Sequence, residues 1–259
     1  MILARRLVIL AAALLAAPLA ARAAEPPLVA AASDLSAALP EVAAAFQKST
    51  GKAVRLTFGS SGSFTQQIQN GAPFEVFFSA DEAYVATLRA AGRTEDAGRP
   101  YAIGRIGLFT PTGSPVTADA ALKDLAAAVR DGRVQKFAIA NPDHAPYGRA
   151  AREALQHAGL WDALQPRLVL GENVSQATQF ATSGSAQGGI IPLSLALTPQ
   201  VKAAGSFALI SADWHQPLRQ RMVLVKGAGP TAQAFCAFLV TAPAKAILAR
   251  YGFTLPGVR

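Results

Sequence analysis

Three short apolar runs near the start of the chain, at 28–32, 54–58 and 76–79, each give way to a stretch with helical spacing of its apolar positions. The run Ile106-Gly107-Leu108-Phe109-Thr110-Pro111-Thr112-Gly113 reads as a strand leaving this first unit, and Pro111, Gly113 and Pro115 mark a change of lobe. A second set follows, with strands at 136–140, 167–170 and 189–191 and helices at 148–157 and 175–183. A last strand at 222–225 precedes helices at 231–240 and 244–250, the final one stopped by Gly252. Asp81 opens the third helix and Gly92 follows its end, while Pro40 marks the start of the first helix after a short turn at Ser33. Strand-like runs alternating with amphipathic helices predict an α/β protein with mainly parallel sheets flanked by helices.

Two of the strand-to-helix turns carry serines: Ala31-Ala32-Ser33-Asp34 and Gly59-Ser60-Ser61-Gly62-Ser63. A serine at a helix start caps it with its hydroxyl, while the first backbone N–H groups keep no intrahelical acceptor. Two such starts on one sheet edge make a pocket of neutral donors with partial positive charge, suited to an anion.

The first residues change the cellular picture. Arg5 and Arg6 precede an apolar run at 7–15, and Ala21-Arg22-Ala23 supplies a small-residue cleavage signal. Residues 1–24 therefore read as a secretory signal peptide, too short for a membrane span, and the mature chain is expected in the periplasm. The lone Cys236 sits in an apolar pattern far from the cleavage point, so neither an internal disulfide nor a lipid-anchor cysteine is expected. Removing the signal leaves 21 basic against 16 acidic residues, an excess that draws anions. It forms no basic run and no aromatic-basic alternation, so nucleic acid is not an expected partner. Half the chain is apolar, enough to build two cores.

With these residues in view, the chain resembles the periplasmic molybdate-binding proteins of ABC importers. The resemblance spans essentially the whole mature chain. It is carried by Ala30-Ala31-Ala32-Ser33, by the block from Gly59-Ser60-Ser61-Gly62-Ser63-Phe64 through Gly71-Ala72-Pro73-Phe74-Glu75-Val76-Phe77-Phe78-Ser79-Ala80-Asp81, and by Asn141-Pro142-Asp143-His144-Ala145-Pro146-Tyr147-Gly148. Gly171-Glu172-Asn173-Val174 and the ending Arg250-Tyr251-Gly252-Phe253 also fit. The resemblance implies a two-lobed periplasmic binding protein fold, with 25–106 and 220–259 in lobe 1 and 107–219 in lobe 2. It implies an oxyanion held between the lobes by Ser33 and Ser61, through hydroxyl and backbone donors, and by the backbone N–H groups of Tyr147 and Val174. Well-known members carry a tyrosine, whose hydroxyl reaches the oxyanion, where this chain has Pro192. Proline offers neither hydroxyl nor N–H. Ser194 or the Tyr147 side chain is the candidate substitute. The partners implied are molybdate or tungstate as cargo and the membrane permease of an ABC importer, with the binding protein a monomer and no cofactor.

A pocket made only of donors satisfies a fully deprotonated tetrahedral dianion. It leaves the proton of a singly protonated phosphate unpaired, at a cost of roughly 1–3 kcal/mol. That favours molybdate, tungstate or sulfate, with choice among them set by pocket size. Asp34, Asp143 and Glu172 adjoin the donors, and their carboxylates are expected to point away or to cap helices. Arg149 is expected to be a surface charge. Sulfate or another small anion on the same fold is the nearest alternative. A serine-dependent hydrolase is the alternative from another class, although Gly59-Ser60-Ser61-Gly62 is not G-x-S-x-G. His144, His157 and His215 read as structural, and no H-E-x-x-H or paired-cysteine pattern points to a cation site.

Overall fold

The structure is a computed structural model that describes residues 25–255, so the signal-peptide reading falls outside the described residues. The chain runs β1 (Leu28–Ala32), a 3-10 turn (Ser33–Leu35), α1 (Ala38–Thr50), β2 (Arg55–Gly59), α2 (Ser61–Gln69), β3 (Val76–Ser79), α3 (Glu82–Ala90) and β4 (Arg99–Gly104). Then come β5 (Ile106–Pro111), α4 (Lys123–Arg130), β6 (Phe137–Ala140), α5 (Pro146–His157), α6 (Trp161–Leu164), β7 (Leu168–Gly171), α7 (Val174–Thr182) and β8 (Gly188–Pro192). The last elements are α8 (Leu193–Ala196), α9 (Pro199–Ala204), β9 (Gly205–Leu209), β10 (Leu218–Leu224), α10 (Pro230–Phe238) and α11 (Ala242–Arg250).

Ten strands form two five-stranded sheets of matching plan, β2-β1-β3-β10-β4 and β7-β6-β8-β5-β9. In each, three strands are mutually parallel and one strand, β10 or β5, runs against both its neighbours. The sheets are thus mixed rather than uniformly parallel, because one strand of each is delivered by a chain crossing between lobes. The chain crosses at Arg105, between β4 and β5, and again between β9 and β10.

The inner parallel strands β1, β3 and β6 are almost wholly apolar and buried, as strands covered by helices on both faces must be, whereas the edge strand β2 carries Arg55 and Thr57 exposed. Val29, Ala30 and Ala31 in β1, and Phe77 and Phe78 in β3, are fully buried. Helices pack on either side: Leu39, Val42 and Phe46 of α1 join Phe235 of α10 and Leu248 of α11 in one cluster, and Phe64 and Ile68 of α2 join Leu88 of α3 in another. In lobe 2, Ala151, Ala154 and Leu155 of α5 pack with Phe137 and Ile139 of β6, and Trp161 and Trp214 cover that core. Because β1, β2 and β3 run in one direction, their C-terminal ends emerge together at the edge that faces lobe 2. The ends of β6 and β7 do the same from the other side. Among the described residues no single helix is long and apolar enough to cross a membrane.

Candidate functional site

The two sets of strand ends meet around a small pocket. Ala32, Ser33, Asp34, Gly59, Ser60, Ser61 and Ala80 line it from lobe 1, and Ala145, Pro146, Tyr147 and Val174 from lobe 2. It is a small cavity of about 10 Å3, room for roughly one water-sized sphere. Asp34 and Tyr147 are the ionisable side chains in that lining, and it contains no Lys or Arg.

Ser33 leads the 3-10 turn after β1 and is buried. Its hydroxyl oxygen accepts the N–H of Ser175 at 3.3 Å. Ser61 is the first residue of α2, and Ser60 is the cap: the Ser60 hydroxyl accepts the N–H of Ser63. That frees the Ser61 hydroxyl, whose oxygen accepts the N–H of Ala80 at 3.0 Å. Each serine oxygen thus accepts a backbone N–H, a bond that does not use the hydroxyl proton. Across the cleft, Pro146 opens α5 with its fixed φ, leaving Tyr147 in the first turn, and Val174 opens α7. The N-cap Asn173 takes the N–H groups of Ser175 and Gln176, not that of Val174. First-turn N–H groups have no intrahelical acceptor. The four residues read as binding residues from sequence, Ser33, Ser61, Tyr147 and Val174, thus converge on one pocket from four separate helix starts.

Pro192 and Ser194 do not line it. Pro192 is buried at the end of β8, paired with Ile106. The Ser194 hydroxyl donates to the backbone carbonyl of Asp34 at 2.7 Å. The Tyr147 hydroxyl donates to Asp34 Oδ2 at 2.9 Å. Neither candidate replacement for the missing tyrosine offers its hydroxyl proton to the pocket, because both donate to Asp34.

Asp34 is the residue that sequence reasoning undervalued. Instead of pointing away or capping a helix, its carboxylate is fully buried. Oδ2 accepts from both the Tyr147 hydroxyl and Gln220 Nε2, the latter at 2.7 Å, whereas Oδ1 has no hydrogen-bond partner. Burial pushes the Asp34 carboxyl up from 3.8 to about 7, opposed by the hydrogen bonds from Gln220 and Tyr147 and, less strongly, by the nearby backbone N–H groups of Asp34 and Leu35. Burial, reinforced by the Asp34 carboxylate, holds the hydroxyls of Tyr147 and Tyr101 well above the ordinary tyrosine range, so both stay neutral. Gln220 and Ser175 gave no sequence signal as site residues. Asp143 and Glu172, by contrast, are exposed as expected.

The rim closes with further contacts between lobes. Gly62 N–H donates to the His144 carbonyl at 2.9 Å, and the Ser175 hydroxyl donates to the Ser33 carbonyl at 2.8 Å. Arg149, expected to be a plain surface charge, pairs with Asp81, the N-cap of α3 in the other lobe. Ser60 Oγ lies 2.9 Å from His144 Nδ1, and His144 Nε2 lies 3.5 Å from Glu172. This grouping has the order of a hydrolase triad, but its serine oxygen is the cap of α2 and also bonds Ser63 Oγ. Among the described residues no group of three or more His, Cys, Asp or Glu could hold a metal cation.

Residues 27–254 match the family described as bacterial extracellular solute-binding protein. The chain is 38% identical over 230 residues to the molybdate-binding protein ModA of Azotobacter vinelandii, covering 88% of this chain and 89% of the relative. It is 35% identical to ModA of Rhodobacter capsulatus, covering 87% of each chain. The solved structure of the Azotobacter vinelandii periplasmic molybdate-binding protein superposes with a TM-score of 0.79 at 33% identity, over 89% of this chain and 99% of that one. Peb3 from Campylobacter jejuni, at 19% identity and a TM-score of 0.66, shares the fold over 88% of this chain and 98% of its own. The chain belongs to the bacterial extracellular solute-binding proteins, in the branch of the ModA molybdate-binding proteins.

Proposed function

We propose that this protein captures molybdate, and tungstate as a close second, in the periplasm and delivers it to the membrane permease of an ABC importer. As a solute-binding protein it is not an enzyme. In this reading the mature chain acts as an exported monomer without a lipid anchor or cofactor. The observation that carries the choice of an oxyanion is the pair of serine hydroxyls, each with its oxygen filled by a backbone N–H and its proton left to donate. With the first-turn N–H groups of Tyr147 and Val174 they form a set of donors with no basic side chain beside them. Such a set favours a small dianion that only accepts hydrogen bonds, and it needs no counter-charge because helix starts supply partial positive charge. Two lobes closing around the ligand bury it completely, so the permease can distinguish the loaded form by its shape.

The test is titration of molybdate into Ser33→Ala and Ser61→Ala. Each is expected to weaken binding by roughly 1–3 kcal/mol, the cost of a charged acceptor left without one donor. Unchanged affinity in both variants would remove the serines from the site.

A further inference from the structure

We propose that Asp34 is protonated in the loaded site, taking up a proton from solvent where the free protein has lost it, so that its Oδ1 serves the anion as an O–H donor. The inference rests on the reading of the pocket as an oxyanion site and adds a coupled proton to it. Asp34 lines the pocket, is fully buried, and leaves Oδ1 without a partner. Its other oxygen is saturated by Tyr147 Oη and Gln220 Nε2, two donors that hold the carboxyl group in one orientation. A proton on this carboxyl therefore belongs on Oδ1, the oxygen that Tyr147 and Gln220 leave free. An ionised Asp34 beside a bound dianion would bring like charges together with no Lys or Arg in the lining to offset them. The neutral acid removes that repulsion and adds a donor to a chain that lacks the tyrosine hydroxyl expected at Pro192. Burial already holds the carboxyl at about 7, so the proton is available near neutral pH.

The surroundings leave Asp34 as the group that titrates. The elements packed on its turn are α7, α8 and β2. The first two carry no ionisable side chain, and Arg55 sits at the far end of β2. Tyr101 of β4 and Tyr147 of α5 face the carboxyl and are neutral. Charged neighbours on the same elements are directed elsewhere: Arg149 to Asp81, Arg221 of β10 to Glu82, and Arg105 to the carbonyl of Ile210. His144 lies on the rim, with Nδ1 against Ser60 Oγ and Nε2 3.5 Å from Glu172.

The experiment is calorimetric titration of the mature protein with molybdate from pH 6 to pH 9, in buffers of different ionisation enthalpy. Wild type is expected to take up close to one proton per molybdate above pH 8, with affinity falling about tenfold per pH unit there. Asp34→Asn places an amide donor where the O–H would be at every pH, so its affinity is expected to be flat across the range with no proton taken up. A flat wild-type profile without proton uptake would overturn the proposal and leave molybdate capture standing. A slope that survives Asp34→Asn would also overturn it and transfer the proton to His144. No binding at pH 6 would overturn the oxyanion reading itself. Should Asp34→Asn fold poorly, His144→Gln separates the two groups: proton uptake kept in that variant supports Asp34, and its loss overturns the proposal.

Discussion

Asp34 sets a stability cost that is independent of any ligand. Its carboxyl sits near 3.8 in the unfolded chain and is held at about 7 by burial in the folded one. Below pH 4 both states carry the proton and nothing is lost. Between pH 4 and 7 the unfolded chain releases a proton that the folded chain keeps, so this group makes folding progressively less favourable as pH rises. The loss reaches on the order of 4 kcal/mol above pH 7. Urea unfolding of Asp34→Asn against wild type checks this: the variant's relative stability is expected to climb from pH 4.5 to 7.5, and parallel curves would contradict it. The two pocket serines differ at the same scale. Ser61→Ala strands the buried N–H of Ala80 and is expected to cost the fold roughly 1–3 kcal/mol. Ser33→Ala is expected to leave stability nearly unchanged, since Asn173 Oδ1 still accepts the N–H of Ser175. Thermal melts of the two variants separate these outcomes.

The helix starts carry the site, and their approach to one another depends on what they lack. A Cβ added at Gly62 in the first turn of α2 would meet the His144 carbonyl oxygen at 2.6 Å, far inside contact. Gly62→Ala is therefore expected to hold the lobes apart, lowering molybdate affinity at least tenfold while shifting the melting temperature of the free protein little. Equal affinity in the variant would show that this contact does not gate closure. Strands β1 and β3 were legible in the sequence because they are short, wholly apolar and end in turn residues, and α3 because Asp81 and Gly92 mark its ends. Strands β4 and β9 were not. Both are sheet edges: Arg99 and Pro100 break the apolar run of β4, and Gly205 and the exposed Ser206 open β9 without one. Helix α4 was missed as well, since it begins after Leu122 in a left-handed conformation, with Asp119 taking the N–H groups of Lys123 and Asp124. The four pocket residues Ser33, Ser61, Tyr147 and Val174 were legible through motif order and resemblance. The bond from Tyr147 to Asp34 spans 113 positions and that from Gln220 spans 186, so no local pattern announces them. They exist because the second chain crossing returns β10 to the first sheet beside β3.

At the scale of the molecule, two sheets of like plan are joined at Arg105 and by the segment between β9 and β10, and the lobes meet around the pocket through Ala32 and Ala80 packed on the lobe 2 core and through a set of polar contacts. Hydrogen bonds from Ser175, Ser194, Gly62 and Tyr147 and the Arg149–Asp81 pair all join opposite lobes. Polar contacts of this kind exchange readily with water, so they hold the lobes together less firmly than apolar packing of the same extent would. The most direct measurement is calorimetric titration of the anion-stripped mature protein with molybdate, tungstate, sulfate and phosphate in one buffer. One-to-one binding of molybdate and tungstate, with sulfate at least a hundredfold weaker and phosphate silent, is the predicted result. Preference for sulfate or phosphate over molybdate would contradict the account.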